Sequence, residues 1–286
     1  MTFKEALKSK KFIITAELFP PKGTNIQPLL EKARLLRGKI DGFNVTDNQR
    51  AVMRLGSLAI CRLLQEQGCD PILQMTCRDR NRIALESDLL SASVLGIENI
   101  LVLSGDHPTQ GDHKEAKPVY DLDPVQLLKT ARTLETGVDL VGKKLDGSPQ
   151  FCLGAVVNPL ADPLDLQLAM MEKKIEAGAE FFQTQPIFDS KLLETFVVKT
   201  KEFNAKILIG VFLLKSAPVA IFMKEKLGIN ISSHYIDRLQ RANSPLDEGI
   251  TIAGELISQM KPHVDGVHIM ALGMEEHIPG ILNKVK

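Results

Sequence analysis

The sequence predicts a parallel α/β barrel, and three features carry that expectation. Short apolar segments recur eight times, separated by stretches with helical spacing. Eight strand–helix repeats is the number that closes a (β/α)8 TIM barrel, and 286 residues suit a fold that typically takes about 250. No Pro/Ser-rich linker or low-complexity tract divides the chain, so residues 1–286 read as one domain.

The strand segments, in order, are Phe12–Leu18, Gly42–Asn48, Pro71–Cys77, Asn99–Asp106, Phe151–Asn158, Phe181–Pro186, Lys206–Leu213 and Gly266–Leu272. The fourth reads Asn-Ile-Leu-Val-Leu-Ser-Gly-Asp, an apolar run fit for burial on both faces that ends in a glycine and a carboxylate. Between strands, Arg80–Leu95 places Ile83, Leu89, Leu90 and Val94 on one helical face. Asp123-Pro124 and Asp162-Pro163 each offer an N-cap followed by proline at the first helical position. Ser244-Pro245-Leu246-Asp247 has the spacing of a capping box opening a helix toward Met260. Gly96 and Gly178 stand where left-handed caps are wanted. His107–Leu122, long and polar after the fourth strand, is a candidate ligand cover. Glu135–Gln150 precedes the fifth strand, so it belongs to the opposite rim and reads as structural.

Composition excludes several classes of function. The chain carries 35 basic and 35 acidic side chains, with no basic run or base-stacking aromatic cluster, so no nucleic-acid partner is expected. No apolar run approaches the roughly 18 residues of a spanning helix, and the N-terminus lacks a signal peptide. No membrane partner and a cytoplasmic location are the expectation. Cys61, Cys69, Cys77 and Cys152 form neither a Cys-x-x-Cys pair nor a cluster at metal spacing. They read as reduced thiols packed like small apolar groups, and no metal site is expected.

In a barrel the C-terminal ends of the strands converge on one mouth. Here they contribute Glu17, Thr46 with Asp47, Gln74 with Thr76, Asp106, Asn158 and Gln185, with no Lys or Arg. Such a mouth suits a polar heterocycle with amide-like edges, including one that becomes cationic. Glu17 is surrounded by Ala16 and Leu18-Phe19-Pro20-Pro21, and burial disfavours a charged carboxylate, which suits a proton donor near neutrality. Blander roles stay open: Glu17 paired inside the barrel, Asp106 capping its loop, Gln185 satisfying buried backbone. His107 and His113 read as ordinary loop histidines.

Five motifs go further. Glu17-Leu-Phe-Pro-Pro-Lys22, Gln74-Met-Thr-Cys77, Leu103-Ser-Gly-Asp106, Lys174-Ile-Glu-Ala-Gly-Ala179 and Thr184-Gln-Pro-Ile-Phe-Asp189 stand in order along the chain. Together they resemble the methylenetetrahydrofolate reductase family, a family of flavin-dependent barrels. The resemblance implies ping-pong hydride transfer from NADH or NADPH, through FAD or FMN, to 5,10-methylenetetrahydrofolate. On it, Glu17 matches the general acid and Asp106 the carboxylate that stabilises the cationic intermediate and lies near the flavin. Gln185 matches the amide that hydrogen-bonds the pterin. Thr46, Gln74, Ser104, Gly105, Asp106, Tyr120, Asn158 and Lys174 fall on or near flavin-contact positions, with Lys174 as the cation for the flavin phosphate. Gln74 stands where many relatives carry His, and Ser104 where many carry Arg. Pro218 falls near a position that is often aromatic. The chain ends soon after the eighth strand, so the regulatory domain of the eukaryotic enzymes is not expected. A homo-oligomer is one expected assembly. The alternative is a flavoprotein subunit that takes electrons from a redox partner within a larger complex. A more distant alternative is a pterin-binding methyltransferase barrel.

Overall fold

The computed structural model describes residues 1–9 and 12–286. Among them, eight strands run parallel and close on themselves in sequence order. They are β1 (Ile13–Leu18), β2 (Gly42–Val45), β3 (Pro71–Thr76), β4 (Asn99–Leu103), β5 (Cys152–Val157), β6 (Phe181–Pro186), β7 (Lys206–Phe212) and β8 (Gly266–Met270). Because β1 pairs with both β2 and β8, the ring has no free edge. Each predicted segment holds a strand, and most give up residues at the C-terminal end, where the chain leaves the ladder to build the mouth.

The helices are α1 (Phe3–Lys8), α2 (Gln27–Leu36), α3 (Ser57–Glu66), α4 (Arg82–Val94), α5 (Pro124–Glu135) and α6 (Leu164–Glu176). They continue with α7 (Ser190–Thr200), α8 (Ala217–Leu227), α9 (Ser233–Arg241), α10 (Pro245–Met260) and α11 (Ile278–Leu282). Asp123 caps α5 as its sequence predicts, in a reciprocal box with Gln126. The other two predicted caps differ. Pro163 itself is the N-cap of α6, which leaves Asp162 one residue outside the helix. Ser244 is the N-cap of α10, but its side chain makes no capping bond. That first turn instead carries Asp247 and Glu248, which complement the helix dipole, and Glu248 is held by Arg238 at 2.6 Å.

The predicted inner face of α4 is also corrected. Leu85, Leu89 and Ala92 face the barrel, while Ile83 and Val94 are 74% and 87% exposed. The sequence carries two stripes at helical spacing, and the one with the small Ala92 packs closer to the strands. The 135–150 segment folds beside this helix, where Leu140 N donates to Glu86 at 2.9 Å.

Burial divides into two clusters. The larger one lies between strands and outer helices. The smaller one fills the lower lumen with Ile13, Ile72, Leu101, Cys152, Phe181 and Leu208. It is closed from below by Phe3 of α1, which meets Phe181 edge-on with ring centroids 5.0 Å apart. Gly154 is needed beside it, since a Cβ there would lie 2.2 Å from the Phe181 ring. All four cysteines are free and buried, and burial pushes the Cys77 and Cys152 thiols up to about 12. No helix among the described residues is long and apolar enough to cross a membrane.

Candidate active site at the barrel mouth

Above the apolar plug the lumen turns polar, because inward positions on four strands carry Thr15, Asn44, Gln183 and His268. Asn44 and Gln183 exchange amide hydrogen bonds, and Gln183 Nε2 also reaches Thr15 Oγ1 at 3.5 Å. Thr15 Oγ1 lies within hydrogen-bond reach of the Val267 carbonyl at 3.3 Å and of His268 Nδ1 at 3.0 Å. A hydroxyl has one proton, so Thr15 donates to only one of these two partners at a time, and the histidine tautomer goes with that choice. The other ring nitrogen, His268 Nε2, lies 3.8 Å from Glu17 Oε2. Glu17 is only 3% exposed, and its other oxygen, Oε1, accepts from Gln49 Nε2 at 2.8 Å.

The tips of β2, β3 and β4 are tied together by two arginines from the loop after β3. Arg80 pairs with Asp47 and with Asp88, and Asp47 also accepts from Thr76 N and Oγ1 at 2.9 Å each. Asp47 and Thr76 therefore serve each other and Arg80. Arg78 is 2% exposed and donates to two backbone carbonyls, Asp106 O and Asn48 O, at 3.1 Å each. It also forks onto Asp79 at 2.8 and 2.7 Å. Burial opposes ionisation of Asp79, but the Arg78 guanidinium outweighs it and holds the carboxyl below its usual range. The backbones flanking Gln49 and carrying Asp106 are thus gripped by one guanidinium.

The remaining predicted residues are distributed around this rim. Thr46 is buried just after β2, its N–H donating to the Leu18 carbonyl at 3.2 Å, and its Oγ1 has no hydrogen-bond partner among the described residues. Gln74 is buried at the end of β3. Ser104 and Asp106 are exposed after β4, flanking Gly105, whose φ of +84° suits glycine. The Gly105 carbonyl accepts from Tyr120 OH at 3.1 Å, so the 107–122 segment folds back over the β4 tip. Farther along that segment Asp112 pairs with Lys22 and accepts from Met53 N at 3.3 Å, strapping it across the β1 and β2 loops. Gln185 is exposed at the end of β6. Asn158 is half-buried and accepts from Leu160 N at 3.1 Å. Lys174 reaches up from α6 to donate to the Val156 carbonyl at 2.7 Å.

Reading the strand tips missed Gln49, Arg78, Gln183 and His268. For Gln183 and His268 a signal existed, since each is a polar residue at an inward position of an alternating strand. Gln49 and Arg78 lie in loops, where nothing local announces which strand tip they will reach.

A family model described as methylenetetrahydrofolate reductase matches residues 2–286. The chain is 26% identical over 286 residues to methylenetetrahydrofolate reductase 2 of Schizosaccharomyces pombe, an alignment covering 93% of this chain and 44% of that protein. It is 24% identical over 283 residues to methylenetetrahydrofolate reductase (NADH) 1 of Arabidopsis thaliana, covering 93% and 47%. With the 5,10-methylenetetrahydrofolate reductase of Pectobacterium carotovorum it shares 26% over 179 residues, covering 62% and 55%. The chain spans about half the length of these relatives. Among solved structures, EDTA monooxygenase (EmoA) from Chelativorans sp. BNC1 superposes with a TM-score of 0.58 at 11% identity, over 96% of this chain and 93% of that one. A Mycobacterium tuberculosis tryptophan synthase chain gives 0.54 at 13% identity, over 98% and 91%. At such identities the likeness is one of fold. The family match, by contrast, runs over nearly the whole sequence, and the chain belongs to the methylenetetrahydrofolate reductase family.

Proposed function

We propose that this chain reduces 5,10-methylenetetrahydrofolate to 5-methyltetrahydrofolate, using NADH or NADPH and a bound flavin, FAD or FMN. Thr46, Gln74, Ser104, Gly105, Asp106, Tyr120, Asn158 and Lys174 would hold the flavin, which when bound supplies the hydride. The residues present suit it: Thr46 Oγ1 has unspent hydrogen-bonding capacity, and Ser104 and Asp106 are exposed on the rim. Lys174 offers an ammonium to a phosphate.

Reduction requires the folate's five-membered ring to open, and opening requires a proton at its N10. Glu17 is the donor in this reading. Its burial keeps water from competing for the proton, and its two neighbours hold the carboxyl in one orientation. Opening leaves a cationic iminium, opposed by the fixed Asp106 carboxylate. Arg78 holds the Asp106 backbone, so little rearrangement is needed as that charge develops. Gln185 presents its amide to the pterin edge.

The observation that carries this reading is the Glu17 carboxyl, 3% exposed yet hydrogen-bonded at 2.8 Å by Gln49 and faced by His268. A second reading makes the chain a flavoprotein subunit of a larger assembly, with electrons supplied by a redox partner. It is favoured by Pro218, which opens α8 near a position often aromatic in the family. Anaerobic assay of the purified chain separates the two. Oxidation of NADH or NADPH coupled to folate reduction supports the first. Turnover only with an artificial reductant supports the second. A purified protein that turns over methylenetetrahydrofolate with no reductant at all would reject both.

A further inference from the structure

We propose that Gln49 is a positioning residue for Glu17, fixing which carboxyl oxygen carries the proton. The proton's destination rests on the reductase reading above, whereas the contact does not. A protonated carboxyl has one oxygen that only accepts and one that donates. Gln49 Nε2 donates to Oε1 at 2.8 Å, which makes Oε1 the acceptor and leaves the proton on Oε2. Oε2 is the oxygen that faces His268 Nε2 at 3.8 Å, beyond hydrogen-bond distance and so not committed to that ring. The acidic proton thereby has one defined seat.

The loop that carries Gln49 is built to hold it there. Asn48, Arg50 and Ala51 have φ of 47°, 57° and 54°, a left-handed conformation that asparagine tolerates but that is unfavourable for Arg50 and Ala51. Such backbone persists only where its surroundings over-determine it. Arg78 grips Asn48 O at 3.1 Å, and Arg54 N donates to Asn48 Oδ1 at 2.9 Å. Gly111 seats against Ala51, where a Cβ would lie 1.8 Å from the Ala51 carbonyl oxygen. A loop needed only to connect β2 to α3 has no use for two strained residues directly after that side chain. The strain makes sense if the position of the Gln49 amide matters.

The test is carbon-13 NMR of protein labelled at its glutamate carboxyls, in flavin-free and flavin-loaded forms, with the Glu17 signal assigned by its loss in Glu17→Gln. Gln49→Leu removes a donor to the ionised carboxylate, so the Glu17 titration should move to higher pH. Gln49→Glu, of the same shape, places a second carboxylate there and should move it further. That variant carries the test if the leucine variant misfolds. Gln49→Leu should also slow the folate half-reaction by about tenfold to a hundredfold, and far more than the donor half-reaction, as expected for a misplaced reacting group. A Glu17 titration and folate half-reaction unchanged in both variants would overturn the proposal. A titration that moves in the variants, while the flavin-loaded wild-type protein reduces no methylenetetrahydrofolate, would sustain the contact and reject the reductase reading instead.

Discussion

Lys174 holds its ammonium against the Val156 carbonyl at 2.7 Å and half-buried in the protein. Burial pushes it below its usual 10.5, and the Asp123 carboxylate restores only part of that. A phosphate seated beside it favours the charged form, so binding and protonation reinforce each other. The sign follows. Flavin affinity should be full while the pH lies below the lowered value and should fall as pH rises through it toward 10.5. Titrations of the apoprotein with FMN or FAD, followed by flavin fluorescence from neutral to alkaline pH, check this. Lys174→Met should bind weakly throughout and lose the slope. If wild type and variant show the same slope, Lys174 does not contact the phosphate. Arg78 works differently at this scale, because its charge is spent on Asp79 and two carbonyls, which makes it a brace between loops.

At the scale of elements, α5 gives the cleanest test of local coding. Asp123 accepts from Gln126 N at 2.8 Å, and Asp123 N donates to Gln126 Oε1 at 2.9 Å. Asp123→Ala should lower unfolding free energy by about 0.5–2 kcal/mol, read as a lower denaturant midpoint with an unchanged slope. A midpoint equal to wild type would mean the box contributes nothing. The cap was legible because everything it needs lies within four residues. The buried face of α4 was not, since two stripes at helical spacing compete and only tertiary packing selects Leu85, Leu89 and Ala92. The strands were legible from their apolar runs, and Glu17, Gln74 and Asp106 followed because strand ends must meet at one mouth. The Arg78 and Arg80 braces were not legible, because each reaches tips of strands far away in sequence.

For the whole molecule, barrel closure gives two acids 89 residues apart in sequence a shared frame. A continuous path of contacts joins them: Glu17 to Gln49, Asn48 to Arg78, and Arg78 to the Asp106 carbonyl. The lumen below them is sealed by Phe3 and Phe181, which separates the polar layer at the mouth from the N-terminal face of the barrel. The strap from Asp112 to Lys22 and Met53 holds the loop after β4 against the same rim. In the proposed reaction Glu17 delivers the proton that opens the folate ring. Anaerobic stopped-flow on flavin-loaded Glu17→Gln tests it most directly by following flavin bleaching with the donor and its recovery with methylenetetrahydrofolate. Bleaching should continue and recovery should stop. Recovery at the wild-type rate would contradict that role.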